Sequence, residues 1–274
     1  MKNRCKYVVL DLDGTLTNSR KELSARNREA LLKLQKKCVK VILASGRPTY
    51  GIVPLARELE LKAYGGYILA YNGGVIIDCA TGEEVYSNVL PMNMLRPLYD
   101  ASIKHGTTIL SYDNEYIVTE NSTDKYVGVE AHLNKMEVRE VESFVDYYTS
   151  PVPKCLAVGE PERVVAMESE LKGEYGEVMN IYRSEPFFLE LVPLGIDKAQ
   201  SLRVLLQKIG GTKDEMIAFG DGFNDLSMIE FAGVGVAMAN AQDAVKSRAD
   251  VVALSNDEDG VADFIERELL SRVK

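Results

Sequence analysis

The chain has 274 residues, of which 46% are hydrophobic and 27% charged, with a formal net charge of −9. The composition is globular, and the length suits one large domain or two unequal ones. An acidic balance argues against nucleic acid or an anionic membrane as the main partner, because both reward clustered Lys and Arg.

Tyr7 to Leu10 is a short apolar run that suits a buried strand. It is too short for a signal peptide, and no apolar run approaches the roughly 18 residues of a membrane helix. The expectation is a cytoplasmic protein. Ser24 to Lys37 reads as a capped helix with Ala30, Leu31 and Leu34 on one face. Val39 to Ala44 is a second buried strand, Pro48 to Leu59 a second helix, and Tyr67 to Ala70 a third strand. Val75 to Ile77 and Glu84 to Tyr86 can form a hairpin around Thr81-Gly82. Strands alternating with helices imply a parallel sheet with right-handed crossovers.

The middle of the chain reads differently. It mixes strands such as Tyr116 to Thr119 and Phe187 to Leu191 with helices such as Met94 to Lys104 and Glu162 to Leu171. Beyond it the first rhythm returns: helix from Lys198 to Lys208, strand Met216 to Phe219, helix Asp225 to Phe231, strand Val234 to Met238. Helix Ala241 to Ser247, strand Val251 to Ala253 and a closing helix Val261 to Leu270 complete it. The fold class expected is α/β, a doubly wound parallel-sheet core (1–88 and 192–274) with an inserted α+β cap domain (89–191). Cys5, Cys38, Cys79 and Cys155 form no CxxC pair, and His105 and His132 lack partners at metal-ligand spacing. Reduced thiols and structural histidines are the expectation.

In a parallel α/β sheet ligands bind beyond the carboxyl ends of the strands, and four polar clusters fall there. Asp11-Leu12-Asp13-Gly14-Thr15 follows the first strand. Residues i and i+2 of an extended segment point the same way, so two carboxylates face one site. That arrangement is costly unless a cation binds or one carboxylate takes a proton. An ionised Asp can attack phosphorus, and a second with a raised pKa can act as general acid and base. Asp-x-Asp-Gly is also a common turn, and the pentapeptide alone leaves both readings open.

Ser45-Gly46-Arg47 follows the second strand and can offer a hydroxyl, backbone N–H groups and a cation to a phosphoryl group, although it also makes an ordinary loop into a helix. Lys198, opening a helix, can neutralise phosphate charge, as can many lysines. Gly220-Asp221-Gly222-Phe223-Asn224-Asp225 offers the hard oxygen ligands that magnesium prefers, or else a glycine-rich turn into an acidic helix start. The order acid pair, hydroxyl, lysine, acid pair is far more specific than any single part.

With these residues the sequence resembles the haloacid dehalogenase-like (HAD) phosphatase superfamily, and within it the Cof-type sugar-phosphatase branch with a type IIB cap. The resemblance rests on Asp11 to Leu16, Ala44 to Arg47, Lys198 and Phe219 to Asp225, with Val236 to Ala241 and Asn256 to Ala262 in support. Ala199 and Ala239 depart from it where Gly is usual. The resemblance implies a Rossmann-like core. It implies Asp11 as nucleophile and metal ligand, and Asp13 as general acid and base with its backbone carbonyl on the metal. Ser45 and Lys198 would hold the phosphoryl group, with Gly46, Arg47, Asn72 and Asn224 around the substrate. Asp221 would bind Mg2+ directly, with Asn224 and Asp225 supporting the metal or its waters.

The expected activity is magnesium-dependent hydrolysis of small phosphate monoesters, foremost sugar phosphates, through an aspartyl phosphate. The partner expected is a small phosphorylated metabolite, with no obligate protein partner evident. A phosphosugar mutase on the same scaffold and a non-catalytic phosphometabolite-binding protein are the alternatives. Tyr112, Glu115, Tyr116 and Glu190 of the cap could meet substrate hydroxyls or simply pack.

Overall fold

Tyr7–Leu10 (β1) is buried at all four positions, as a central parallel strand must be when helices cover both faces. It opens the described part of a computed structural model covering residues 5–270; residues 1–4 and 271–274, which the sequence reading gives to the core, lie outside the described residues. Ser24 caps Ala25–Gln35 (α1) by accepting the Asn27 N–H, and Ala30, Leu31 and Leu34 of that helix are buried. Lys40–Ala44 (β2) follows, then Thr49–Glu58 (α2), whose start is set by Pro48. After the short Leu61–Tyr64 (α3) come Tyr67–Ala70 (β3), Val75–Asp78 (β4) and Glu84–Ser87 (β5).

The middle segment contributes Met92–His105 (α4), Thr108–Asp113 (β6), Tyr116–Thr119 (β7), Lys125–Asn134 (α5) and Glu137–Glu140 (β8). Phe144–Tyr147 (α6), Cys155–Val158 (β9), Pro161–Tyr175 (α7), Met179–Glu185 (β10) and Phe188–Pro193 (β11) follow. The chain then runs through Lys198–Ile209 (α8), Met216–Gly220 (β12), Leu226–Phe231 (α9) and Val234–Ala237 (β13). Asp243–Lys246 (α10), Val251–Val252 (β14) and Gly260–Phe264 (α11) end it, with a wider helical turn over Ile265–Leu270.

Two compact units result, one built from the residues up to Tyr86 and from Asp197 onward, the other from Ser87–Ile196. The first holds an eight-stranded sheet in the order β14-β13-β12-β1-β2-β3-β4-β5. From β14 to β3 neighbouring strands are parallel, and β4 then pairs antiparallel with β3. Tyr7, Val9, Ile42 and Leu69 on one face pack with Leu202 and Leu205 of α8 and Met228 of α9. On the other, Phe219 meets Phe264 of α11 edge-to-face with centroids 5.2 Å apart. This is the doubly wound α/β core. The chain leaves β1 toward β2 on one side and returns at β12 on the other, so β1 is the topological switch point.

The second unit is α+β, with a six-stranded sheet ordered β10-β11-β9-β6-β7-β8. Phe144, Met167, Leu171, Ile109 and Ala157 belong to its core. Its polar residues engage one another. Buried Lys154 pairs with Glu190 at 2.8 Å, Tyr112 donates to Glu130 at 2.6 Å, and Arg139 lies over the Tyr116 ring. His105 bonds Glu170 at 2.9 Å. Among the described residues no helix is long and apolar enough to cross a membrane.

Candidate active site

The loops after β1, β2 and β12 emerge side by side, because Leu10 is in register with both Leu43 and Phe219. Asp11 begins the first of them, its N–H still on the ladder through Phe219 O at 3.0 Å. Its carboxylate is buried, and burial is the largest influence on it. With Asp225 and Asp221 nearby, burial outweighs the Lys198 cation and pushes the Asp11 pKa up to about 8.

Lys198 opens α8, placed by the Asp197 cap that accepts the Gln200 N–H. It is 1% exposed, and its Nζ donates to Asp11 Oδ1 at 2.7 Å, Asp225 Oδ1 at 2.6 Å and Ala44 O at 2.9 Å. All three ammonium donors are thereby used. Burial favours the neutral amine, but the two carboxylates prevail and raise the Lys198 pKa.

Asp225 is equally buried. Its second oxygen accepts the N–H groups of Asp221 and Gly222 at 3.0 and 2.9 Å, which pins the loop after β12 as a tight turn over Phe223–Asp225. The helix expected from Asp225 therefore begins one residue later, with α9. Asp221 accepts the Thr15 hydroxyl at 2.8 Å, and burial lifts its pKa to about 6. Gly14 has φ +86°, and a Cβ there would overlap the Asp221 carboxylate.

Asp11, Asp221 and Asp225 each offer a carboxylate oxygen within 4.8 Å of the others, and among the described residues this is the one such acidic group that could hold a metal ion. Three carboxylates face a single lysine, two of them with raised pKa values. Such a donor set fits a hard divalent cation. Asp225 Oδ2 holds two backbone N–H groups and Oδ1 holds Lys198, so Asp225 positions the lysine and the loop while Oδ1 keeps one acceptor direction.

One expectation, a raised pKa at the second carboxylate, needs correcting. Asp13 does not have a raised pKa. Burial pushes it up, but hydrogen bonds and charge from Arg47 and Lys21 together outweigh burial and hold it below the ordinary aspartate value. Arg47 in turn is turned onto Asp13, with Nη2–Oδ1 at 2.6 Å and Nε–Oδ2 at 2.7 Å, and Lys21 Nζ adds 2.8 Å to Oδ1.

Ser45 is buried, accepts the Arg47 N–H at 3.1 Å, and its carbonyl accepts the Asn72 N–H at 2.9 Å. Tyr71 and Asn72 both have φ of +54°, a conformation held by these bonds and by Tyr71 N–H to Arg47 O at 3.0 Å. The Asn72 amide faces Gly46, where a Cβ would stand 3.1 Å from Nδ2. Exposed Asn224 donates to Asn72 Oδ1 at 3.0 Å. Asn72, Gly46 and Asn224 are thus contiguous.

Residues without an assigned role in the sequence reading complete the site. Thr15 orients Asp221; Asn240 Nδ2 donates to Gly14 O at 2.7 Å; Asn256 Nδ2 donates to Thr17 O at 2.9 Å, and its N–H to Asn240 Oδ1 at 3.0 Å. Asn240 and Asn256 lie in the two stretches that support the family resemblance, which is the signal that could have found them.

A family description, haloacid dehalogenase-like hydrolase, matches residues 8–265. The chain is 32% identical over 270 residues to "Putative phosphatase YxeH" of Bacillus subtilis (strain 168), covering 97% of this chain and 99% of that one. It is 30% identical over 260 residues to 5-amino-6-(5-phospho-D-ribitylamino)uracil phosphatase YcsE of the same organism, covering 95% and 94%. A crystal structure of a haloacid dehalogenase-like hydrolase from Bacteroides thetaiotaomicron superposes with TM-score 0.94 at 57% identity, covering 96% of this chain and 99% of that one. The chain belongs to the haloacid dehalogenase-like hydrolase family, in its Cof-type branch, and is an enzyme of the phosphatase class.

Proposed function

We propose that this phosphatase hydrolyses small phosphate monoesters, sugar and sugar-alcohol phosphates foremost, with magnesium and through a phosphoryl group carried on Asp11. The observation that carries the reading is the buried Asp11 carboxylate at the switch point, held through Oδ1 by Lys198. The substrate class is supported by the likeness to a relative named for a phosphoribityl compound.

Asp11 Oδ2 attacks phosphorus; the Asp11 O–P bond forms as the ester P–O bond breaks, and the departing alkoxide takes its proton from Asp13, which this half-reaction requires in its protonated, minor form. Water then attacks the same phosphorus, Asp13 takes the water proton, and the Asp11 O–P bond breaks to release phosphate. Ser45, whose Oγ accepts the Arg47 N–H, has its O–H available for a phosphoryl oxygen. Lys198 fixes the attacking carboxylate and offsets its charge. Mg2+ would be held by the Asp11 and Asp221 carboxylates and the Asp13 carbonyl, with Asn224 and Asp225 in support, and when bound it supplies positive charge to the phosphoryl oxygens.

A phosphate-release screen over phosphorylated metabolites tests this, run with Mg2+ and with chelator. Turnover should require Mg2+, favour sugar or sugar-alcohol phosphates and vanish in Asp11→Asn. Near-normal turnover by Asp11→Asn, or turnover in chelator, overturns the mechanism. Isomerised sugar phosphate among the products would identify a mutase instead.

A further inference from the structure

Within the site, Asp13 is the carboxylate that two side-chain cations hold. Arg47 meets it as a fork, Nη2 to Oδ1 at 2.6 Å and Nε to Oδ2 at 2.7 Å. Lys21 Nζ reaches the same Oδ1 at 2.8 Å. Each carboxylate oxygen has two acceptor directions. Oδ1 uses both on cations, whereas Oδ2 uses one and keeps one.

The backbone that carries each cation is set by structure independent of Asp13. Arg47 is fixed by its N–H on Ser45 Oγ, by Tyr71 N–H on its carbonyl, and by Nη1 to Gly51 O at 3.4 Å. Lys21 stands at the tip of a tight loop with φ +62°, its N–H on Asn18 O at 2.8 Å. Asn18 Oδ1 accepts the N–H groups of Arg20 and Glu22 at 2.9 and 3.1 Å. Ser19 ties the tip to the segment after β14, donating its N–H and hydroxyl to Asp257 at 2.8 and 2.5 Å.

We propose that Arg47 and Lys21 are positioning residues for proton transfer, orienting the Asp13 carboxylate so that Oδ2 delivers and receives the proton. The assignment rests on the reading of Asp13 as acid and base. It moves Arg47 from the substrate to the acid, and it gives Lys21, which no motif singles out, a function. Bidentate geometry makes Arg47 the stronger of the two, since a lysine cannot reproduce the planar fork.

The test compares wild type, Arg47→Ala, Arg47→Lys and Lys21→Ala, each with Mg2+, on an alkyl phosphate and on 4-nitrophenyl phosphate. An alkoxide needs a proton to leave; nitrophenolate does not. Arg47→Ala should lower the single-turnover rate of alcohol release from the alkyl ester on the order of 100-fold, but the nitrophenolate burst by less than about tenfold, with KM within about threefold. Arg47→Lys should recover part of the loss, and Lys21→Ala should show the same pattern at about tenfold on the alkyl ester. Equal losses in the two release rates of the first displacement, or a raised KM with kcat unchanged, would make Arg47 a substrate contact and overturn the proposal. If Arg47→Ala does not fold in a thermal melt, Lys21→Ala decides, because Lys21 is an exposed side chain whose loss threatens no core. Wild type inactive on every ester overturns the reaction itself and this assignment with it. An active wild type with variants blind to the leaving group overturns only the positioning.

Discussion

Lys198 shows how a residue that is plain in sequence becomes decisive in three dimensions. It is one lysine opening one helix, undistinguished by itself and given weight by the order of motifs around it. The fold buries it between Asp11 and Asp225, so its charge and theirs are mutually dependent. Lys198→Met should therefore cost about 3–5 kcal/mol, because it strands two buried carboxylates without a counter-charge. Denaturant unfolding in chelator measures this, and a loss near zero would contradict the arrangement. Asp11→Asn removes one of the anions around that cation instead, and its unfolding midpoint should move far less. The double variant should be less destabilised than the sum of the single changes, since both act on one network. Asp11, Ser45, Asp221 and Asp225 were legible because each follows a strand that parallel winding must bring to one edge. The partners of Asp13 were not. Arg47 is 34 residues away on another strand end, and Lys21 reaches back only because its loop closes on itself.

At the scale of elements, the loop leaving β1 depends on partners far along the chain. Gly14 needs its left-handed backbone and its missing side chain, and Asn240 and Asn256 hold the carbonyls of Gly14 and Thr17. Asn256→Ala leaves a buried carbonyl without its donor and should cost about 1–3 kcal/mol, with turnover reduced but not abolished. Gly14→Ala should be harsher on activity, since the added methyl must displace the Asp221 carboxylate. Thermal melts together with magnesium titrations of turnover separate the two effects; a Gly14→Ala enzyme with unchanged magnesium response would contradict the packing. The strands and long helices of the core were legible from periodicity, whereas β6, β8, β9, β10 and α5 of the middle segment and some helix ends were not. The turn over Phe223–Asp225 is set by side-chain capping from Asp225, and the last helix changes its winding after Phe264, features that hydrophobic spacing does not encode.

For the molecule as a whole, the doubly wound core was readable because its two halves repeat one rhythm and end their strands in polar residues. The middle segment gave no such signal, since its polar groups pair locally, as Lys154 does with Glu190. The core concentrates its charge conflict at one edge, and that has a consequence for stability. Asp11 is raised from 3.8 to about 8, by burial first and then by Asp225, and Asp221 is raised to about 6, by burial first. Between the unfolded and folded values the native state binds more protons than the unfolded chain, so stability falls as pH rises across that window. Asp13, with its lowered value, acts in the opposite direction, but only as pH falls below the ordinary aspartate range. Chelator-treated protein should accordingly melt at a lower temperature at about pH 8 than at about pH 5. Mg2+ selects the ionised carboxylates, so its stabilisation should grow over the same interval, reaching about 2.7 kcal/mol at a hundredfold excess over Kd. Asp221→Asn should flatten much of the pH slope in chelator and abolish most of the magnesium response. A chelator profile independent of pH, or magnesium stabilisation equal in wild type and Asp221→Asn, would show that these carboxylates do not carry the conflict the geometry gives them.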